Sequence, residues 1–345
     1  FRTGGGRSRR RRRQKMIKSL ILSLVVILIV AGFIISLILI GRMGENSNGK
    51  DTETITETDP LPPETDPADT ASGILSEGYI TKTFTADEIH RGDLILVNSE
   101  YPYVFPEKTD LTDLYSGRKK YSDGSRAYQI STSDLKLDTF ILSKLNEMNE
   151  DFYESTGERG LLIKSAYRTL DEQQSIYDYR VERDGEEEAL KYVALPGASE
   201  HHTAMAFDMS VYKDGVNTYI EDEEEYLPIY ENAHKYGFVL RYPESKADIT
   251  GIAYEAWHFR YVGVPHAYYM HKNGLVLEEY LALLRENHMY NDPHLITECD
   301  NGNNYEIYYV PADASGQADI ILPDGYEYTV SGDNMSGYIV TVKID

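Results

Sequence analysis

The chain has 345 residues, with 57 Asp and Glu against 34 Lys and Arg and a single cysteine, Cys299. That length suffices for one or two domains with a real core, and one cysteine excludes an intrachain disulfide. Ten of the basic residues fall within residues 1–42, which hold no Asp or Glu, so the rest is strongly acidic and nucleic acid is excluded as a partner, since phosphate binding needs a basic face.

Residues 1–18 carry Arg2, Arg7, Arg9 to Arg13, Lys15 and Lys18 and read as a basic cytoplasmic segment. Residues 19–40, SLILSLVVILIVAGFIISLILI, are almost wholly apolar. At ~1.5 Å per residue such a run crosses a ~30 Å hydrocarbon layer as a helix. A cleaved signal peptide would have an apolar region of only ~7–15 residues and a small-residue cleavage site. This run is longer and no Ala-x-Ala follows it, which favours an uncleaved transmembrane helix. The basic flank predicts a cytoplasmic N-terminus and a body outside the cell membrane. Residues 41–75, rich in Thr, Asp, Glu and Pro, cannot bury enough surface to offset chain entropy and read as a disordered, self-repelling linker.

The folded body is predicted over 76–294. Leu94 to Val97 reads as a short strand. Asp134 to Tyr153 has Leu137, Phe140, Ile141, Leu145, Met148 and Phe152 at helical spacing, with Gly157 as a stop. Residues 160–166 read as a strand and 170–182 as a helix. From Ala204 to Val211 the bulky Met205, Phe207, Met209 and Val211 alternate with Ala204, Ala206, Asp208 and Ser210, which is the period of a strand. Asp208 then shares its face with two alanines, leaving room beside it. A helix over 226–236, strands over 238–242 and 257–262, and a helix over 277–286 follow. Helices and strands mix without a regular βαβ repeat, so the fold class is α+β. Residues 295–345 hold short alternating runs separated by Asp-Gly, Ser-Gly and Asn and read as a small all-β appendage.

The chemistry concentrates in Ser199 to Asp208 and Glu255 to His258. His201, Asp208 and His258 are the ligand types that a catalytic zinc takes from a protein, two imidazoles and a carboxylate, with room left for water. His202, if the backbone is extended, points away from His201 and stays outside the set. His234, His266, His271, His288 and His294 lack a comparable context. Glu255, three residues before His258, is placed to take a proton from water at the metal and to return it to a leaving amine. A regular strand would put Glu255 and His258 on opposite faces, which predicts a turn or bulge between them.

Ser199-x-His201-x-x-Ala204-x-Ala206-x-Asp208 followed by Glu255-x-Trp257-His258 resembles Ser-x-His-x-x-Gly-x-Ala-x-Asp with Glu-x-Trp-His, the signature of the VanY-type D-alanyl-D-alanine carboxypeptidases, within the zinc fold shared with lysostaphin-type enzymes and the hedgehog signalling domain. The resemblance spans roughly residues 90–290 and includes Ser165-Ala166-Tyr167-Arg168, Glu172-Gln173-Gln174, Tyr236 to Pro243 and Trp257 to Gly263. It implies a central antiparallel sheet flanked by helices and one zinc on His201, Asp208 and His258. It makes Glu255 the general base and acid, and Arg168 the stabiliser of the tetrahedral intermediate or holder of a substrate carboxylate. Ser199, Gln174 and Tyr242 fall at positions that line the peptide pocket. Ala204 stands where the pattern has Gly and Ala256 where it usually has Pro. The implied activity is a D,D-carboxypeptidase acting on peptidoglycan stem peptides. An L,D-carboxypeptidase or wall endopeptidase on the same fold, or a zinc-stabilised module that binds wall peptides without cleaving them, stays open.

Overall fold

The computed structural model describes residues 78–344. The predicted basic segment 1–18, transmembrane helix 19–40 and linker 41–75 lie outside the described residues. Among the described residues no helix is long and apolar enough to cross a membrane.

Strand β1 (Tyr79–Phe84) is followed by the short strands β2 (Leu111–Asp113), β3 (Gln129–Ile130) and β4 (Lys136–Asp138). Helix α1 (Thr139–Thr156) starts later than its apolar spacing predicts, because Lys136 to Asp138 is drawn into pairing with β2. Asp138 caps the helix, accepting from the amides of Phe140 and Ile141, and Gly157 ends it in the left-handed conformation. Strand β5 (Leu161–Ser165) leads to α2 (Leu170–Asp184), which opens on a Thr169/Glu172 capping box. Then come β6 (Ala206–Lys213), β7 (Val216–Thr218), β8 (Phe238–Tyr242) and β9 (Glu255–Tyr261). The helix predicted over 226–236 is broken into Pro228–Asn232 and a 3-10 turn, Ala233–Tyr236. Helices α3 (Val264–Asn273) and α4 (Leu277–Asn287) precede β10 (Leu295–Glu298), β11 (Asn304–Pro311), β12 (Ala318–Pro323), β13 (Glu327–Gly332) and β14 (Gly337–Lys343). The fold is mixed α+β.

The central sheet runs β3-β5-β6-β9-β8, with β7 on β6. Its pairs are antiparallel except β3 with β5. Along β6, Phe207, Met209 and Val211 turn into a core shared with Leu142, Leu145, Met148 and Phe152 of α1. Asp208 lies on the opposite face, and strand register sets it directly across from His258 on β9. Between β8 and β9, Leu240 pairs with Phe259 while Tyr242 pairs with Glu255, so β9 carries extra residues there. That bulge lets Glu255 and His258 serve one site, as their spacing requires.

Two predicted strands differ from the structure. β6 begins at Ala206 because Glu200–Thr203 forms a 3-10 turn and Ala204 closes it with φ 61°. Leu94 to Val97 is buried and is not a paired strand. Its backbone is satisfied piecemeal: Ser331 accepts from the Leu94 amide, the Asp333 carbonyl accepts from the Leu96 amide, and Arg260 donates to the Ile95 carbonyl.

Strands form throughout the predicted 295–345 module, in the order β10-β11-β14-β13, while β12 pairs with β1. Their apolar side chains are not walled off. Leu295, Ile307, Tyr309 and Ile339 share one cluster with Leu94, Leu96, Val262, Leu277 and Leu281.

Candidate metal centre

His201 stands on the 3-10 turn Glu200–Thr203, whose Ser199 cap accepts from the His201 amide. The ring Nδ1 lies 2.6 Å from the Ala166 carbonyl oxygen and can only donate to it, which leaves the Nε2 lone pair facing Asp208 Oδ1 at 3.4 Å. His258 is held the other way round. Its Nε2 lies 3.2 Å from Glu200 Oε2, and its Nδ1 faces the same Asp208 oxygen at 3.2 Å. The donor atoms of His201, Asp208 and His258 all lie within 4.8 Å of one another, and all three residues are buried. Among the described residues this is the only such group.

Asp208 Oδ1 is buried and makes no hydrogen bond, although two imidazole nitrogens flank it. Electron-pair donors crowded in this way repel one another unless they share a cation. Burial pulls the His258 ring down, but the closeness of the acceptor carboxylates of Asp208 and Glu200 outweighs it and pushes the ring up to about 9. Burial and Arg168 press His201 down to about 4. Burial alone would raise Asp208, yet His201, His258 and Arg168 hold it well below the carboxylate range. The pocket therefore attracts positive charge while presenting an unprotonated imidazole and an ionised carboxylate. These residues fit one zinc ion, which takes nitrogen and oxygen ligands in such sets.

Glu255 lies beside the trio, with Oε2 3.7 Å from His258 Nδ1. Burial raises its carboxyl to about 7, against the pull of His258. Arg168 follows β5 and points into the same cleft. Its Nη2 donates to Asp208 Oδ2 at 2.9 Å, Nε to Ser165 and Nη1 to Gln173. It thus holds the carboxylate ligand from behind as well as lining the cleft.

The cleft, about 200 Å³, is lined by Arg168, Ser199, His201, Asp208, Tyr242, Glu255 and His258 together. Tyr242 sets its ring 4.9 Å from that of His258. Gln174 is not among these residues: it is exposed and bonds Asp178 along its own helix. The preceding residue, Gln173, occupies the place expected of it, buried between Arg168 and the Ala194 carbonyl. One step along a helix turns a side chain by ~100°, which separates the two glutamines. His202 stays apart from the trio, bonded through Nδ1 to the Arg168 carbonyl and through Nε2 to the Gly197 amide.

Sequence reasoning overlooked Glu200. Burial alone would neutralise this carboxyl, but Arg241 and Arg260, with His258, hold it well below the carboxylate range. Its signal was its place inside the ligand motif, between Ser199 and His201, since a metal-ligating histidine, here His258, frequently gives its second nitrogen to a carboxylate.

The fold and this centre define a metallopeptidase of mixed α+β architecture. The VanY D-alanyl-D-alanine carboxypeptidase profile matches residues 134–264. A D-alanyl-D-alanine carboxypeptidase of Enterococcus faecium is 36% identical over 268 residues, 77% of this chain and 80% of the relative. The bifunctional D-Ala-D-Ala dipeptidase and carboxypeptidase VanXYC of Enterococcus gallinarum is 36% identical over 148 residues, 41% of this chain and 78% of the relative. The crystal structure of the vancomycin-resistance D,D-dipeptidase VanXYg with a D-Ala-D-Ala phosphinate analogue superposes with a TM-score of 0.66 at 31% identity. That match covers 77% of this chain and 99% of the other. The chain belongs to the VanY family of D-alanyl-D-alanine carboxypeptidases.

Proposed function

We propose that the chain is a zinc-dependent D,D-carboxypeptidase that removes the terminal D-alanine from peptidoglycan stem peptides. The observation that carries this is the convergence of His201, Asp208 and His258 with Glu255 in one cleft. His201, Asp208 and His258 would hold a zinc ion, which when bound would supply Lewis acidity and lower the pKa of water. Glu255, poised near neutrality, takes the proton of the attacking water at a carboxylate oxygen and delivers it to the leaving amine. Arg168 offsets charge growing on the carbonyl oxygen while it orients Asp208. Ser199, Gln173 and Tyr242 line the cleft and position the peptide. Trp257, stacked on Tyr219 at 5.3 Å, forms a further wall and ties the 211–230 stretch to selectivity.

A second reading, cleavage of free D-Ala-D-Ala, is favoured by the likeness to VanXYg at a TM-score of 0.66. Incubating the purified, zinc-loaded chain with defined penta- and tetrapeptide stems and with D-Ala-D-Ala, followed by mass analysis, separates these activities. Loss of one D-alanine from the pentapeptide alone is the expected result. Shortening of the tetrapeptide would show L,D-carboxypeptidase action, and internal cuts an endopeptidase. No turnover by any of these with zinc present, in wild type as in Glu255→Ala, would leave a binding module.

Residues 19–40 and their basic flank support anchoring in the cell membrane, with the N-terminus cytoplasmic and the catalytic domain outside, where the proposed substrate lies. Protease treatment of intact cells, with the 76–294 region as the epitope, tests this: an epitope that survives would place the domain inside.

A further inference from the structure

We infer that Glu200 is a positioning residue of the metal centre, acting through His258. The inference rests on the zinc reading of His201, Asp208 and His258. Glu200 precedes His201 on the same 3-10 turn and is fully buried. Its two oxygens are divided between two tasks. Oε2 receives His258 Nε2 at 3.2 Å. Oε1 receives Arg241 Nε at 2.8 Å, with Arg260 Nη1 also 3.2 Å away as a charge contact without hydrogen-bond geometry. Arg241 is gripped in turn by both oxygens of Glu278 on α4, at 2.8 and 2.7 Å.

This arrangement decides which nitrogen of His258 carries hydrogen. A carboxylate surrounded by guanidinium donors is left as an acceptor, so the nitrogen that meets it must be N–H. With the proton at Nε2, the Nδ1 lone pair is directed to the side where Asp208 and His201 present theirs. The Ala166 carbonyl performs the same task for His201 through the opposite nitrogen. The two ligands therefore bind through different ring atoms, and each is fixed by a dedicated acceptor behind it. The Arg241–Glu278 pair holds the Glu200 carboxylate without touching either histidine. Removing a partner of this kind typically weakens metal binding ~10–100-fold.

The experiment is zinc titration of full-length protein against a chromophoric chelator, with urea denaturation run in parallel. Glu200→Gln keeps shape but can turn an N–H toward His258, and it should raise the zinc dissociation constant ~10–100-fold while the protein stays folded. Glu200→Asp, which keeps the charge facing the arginines but withdraws the carboxylate, should do the same and serves if the Gln variant does not fold. Glu278→Gln loosens the same buried network one step further back without touching His258, so it should cost stability and weaken zinc binding far less than either Glu200 variant does. Nitrogen-15 NMR of zinc-loaded wild type needs no variant and should show His258 with a protonated Nε2. Equal affinity in a folded Glu200 variant, equal weakening by Glu278→Gln, or a protonated Nδ1 would each overturn the positioning role. Wild type that takes up no zinc would instead overturn the reading of the centre itself.

Discussion

Glu255 and Ala204 mark the two extremes of the site at the scale of single residues. Glu255 is held near neutrality by burial, so it can both accept and return a proton without a large energetic step. Glu255→Gln removes that capacity and leaves the three ligands in place. Turnover of the pentapeptide should fall ~10²–10⁴-fold, with zinc content by elemental analysis unchanged. Ala204 is buried at φ 61°, where an L residue other than glycine is strained by ~1–2 kcal/mol. Glycine would relieve that strain but loses ~0.4–1 kcal/mol through its freer unfolded chain. Ala204→Gly should therefore raise stability modestly, by about 0.5–1 kcal/mol net, read as a higher urea midpoint. The ligand residues were legible because three chemically suited side chains fell in two short motifs. Gln173 and Glu200 were not, because helix phase and burial decide which side chain enters the cleft, and neither is written in residue type.

Among the elements, those with a strong local signal were readable and those held by distant partners were not. Helix α1 has a periodic apolar face and a glycine stop, and β6 has strict alternation, so both were legible to within a few residues. Leu94 to Val97 looks like a strand by composition, but its partners are a turn near residue 333 and the Arg260 side chain. Helix α3 shows the same dependence. Its His266 accepts or donates at Nδ1 to the Tyr280 hydroxyl of α4, 2.8 Å away, and at Nε2 to the Thr341 hydroxyl of β14, 3.0 Å away. Burial pushes this ring down to about 3. The unfolded chain, with an ordinary histidine pKa of ~6.5, thus binds a proton that the folded chain refuses between those values. This contribution to stability is complete above that unfolded pKa and is lost as pH falls toward 3. Between pH 7 and pH 5 the loss should be about 2 kcal/mol. Urea denaturation at both pH values checks it: the drop should shrink by about that amount in His266→Gln, which cannot titrate there.

The whole molecule shares its cores across the boundary at which the sequence changes character. Leu295, Ile307, Tyr309 and Ile339 pack with Leu94, Val262, Leu277 and Leu281. Ile89 packs in turn with Ile320, Tyr338, Val340 and Val342 of the C-terminal strands. A chain ending at residue 294 would expose those surfaces. We expect it to be insoluble or protease-sensitive and to lack a cooperative urea transition, whereas an autonomous appendage would leave a folded 76–294 fragment. The pairing of β1 with β12 carries this further, into the order of folding. Thr83 and Asp319 are hydrogen-bonded although 236 residues separate them. Contacts so remote in the chain raise contact order, and high contact order slows folding. A polypeptide emerging N-terminus first must therefore wait with β1 unpartnered until β12 has appeared, which makes that late strand the gatekeeper of maturation.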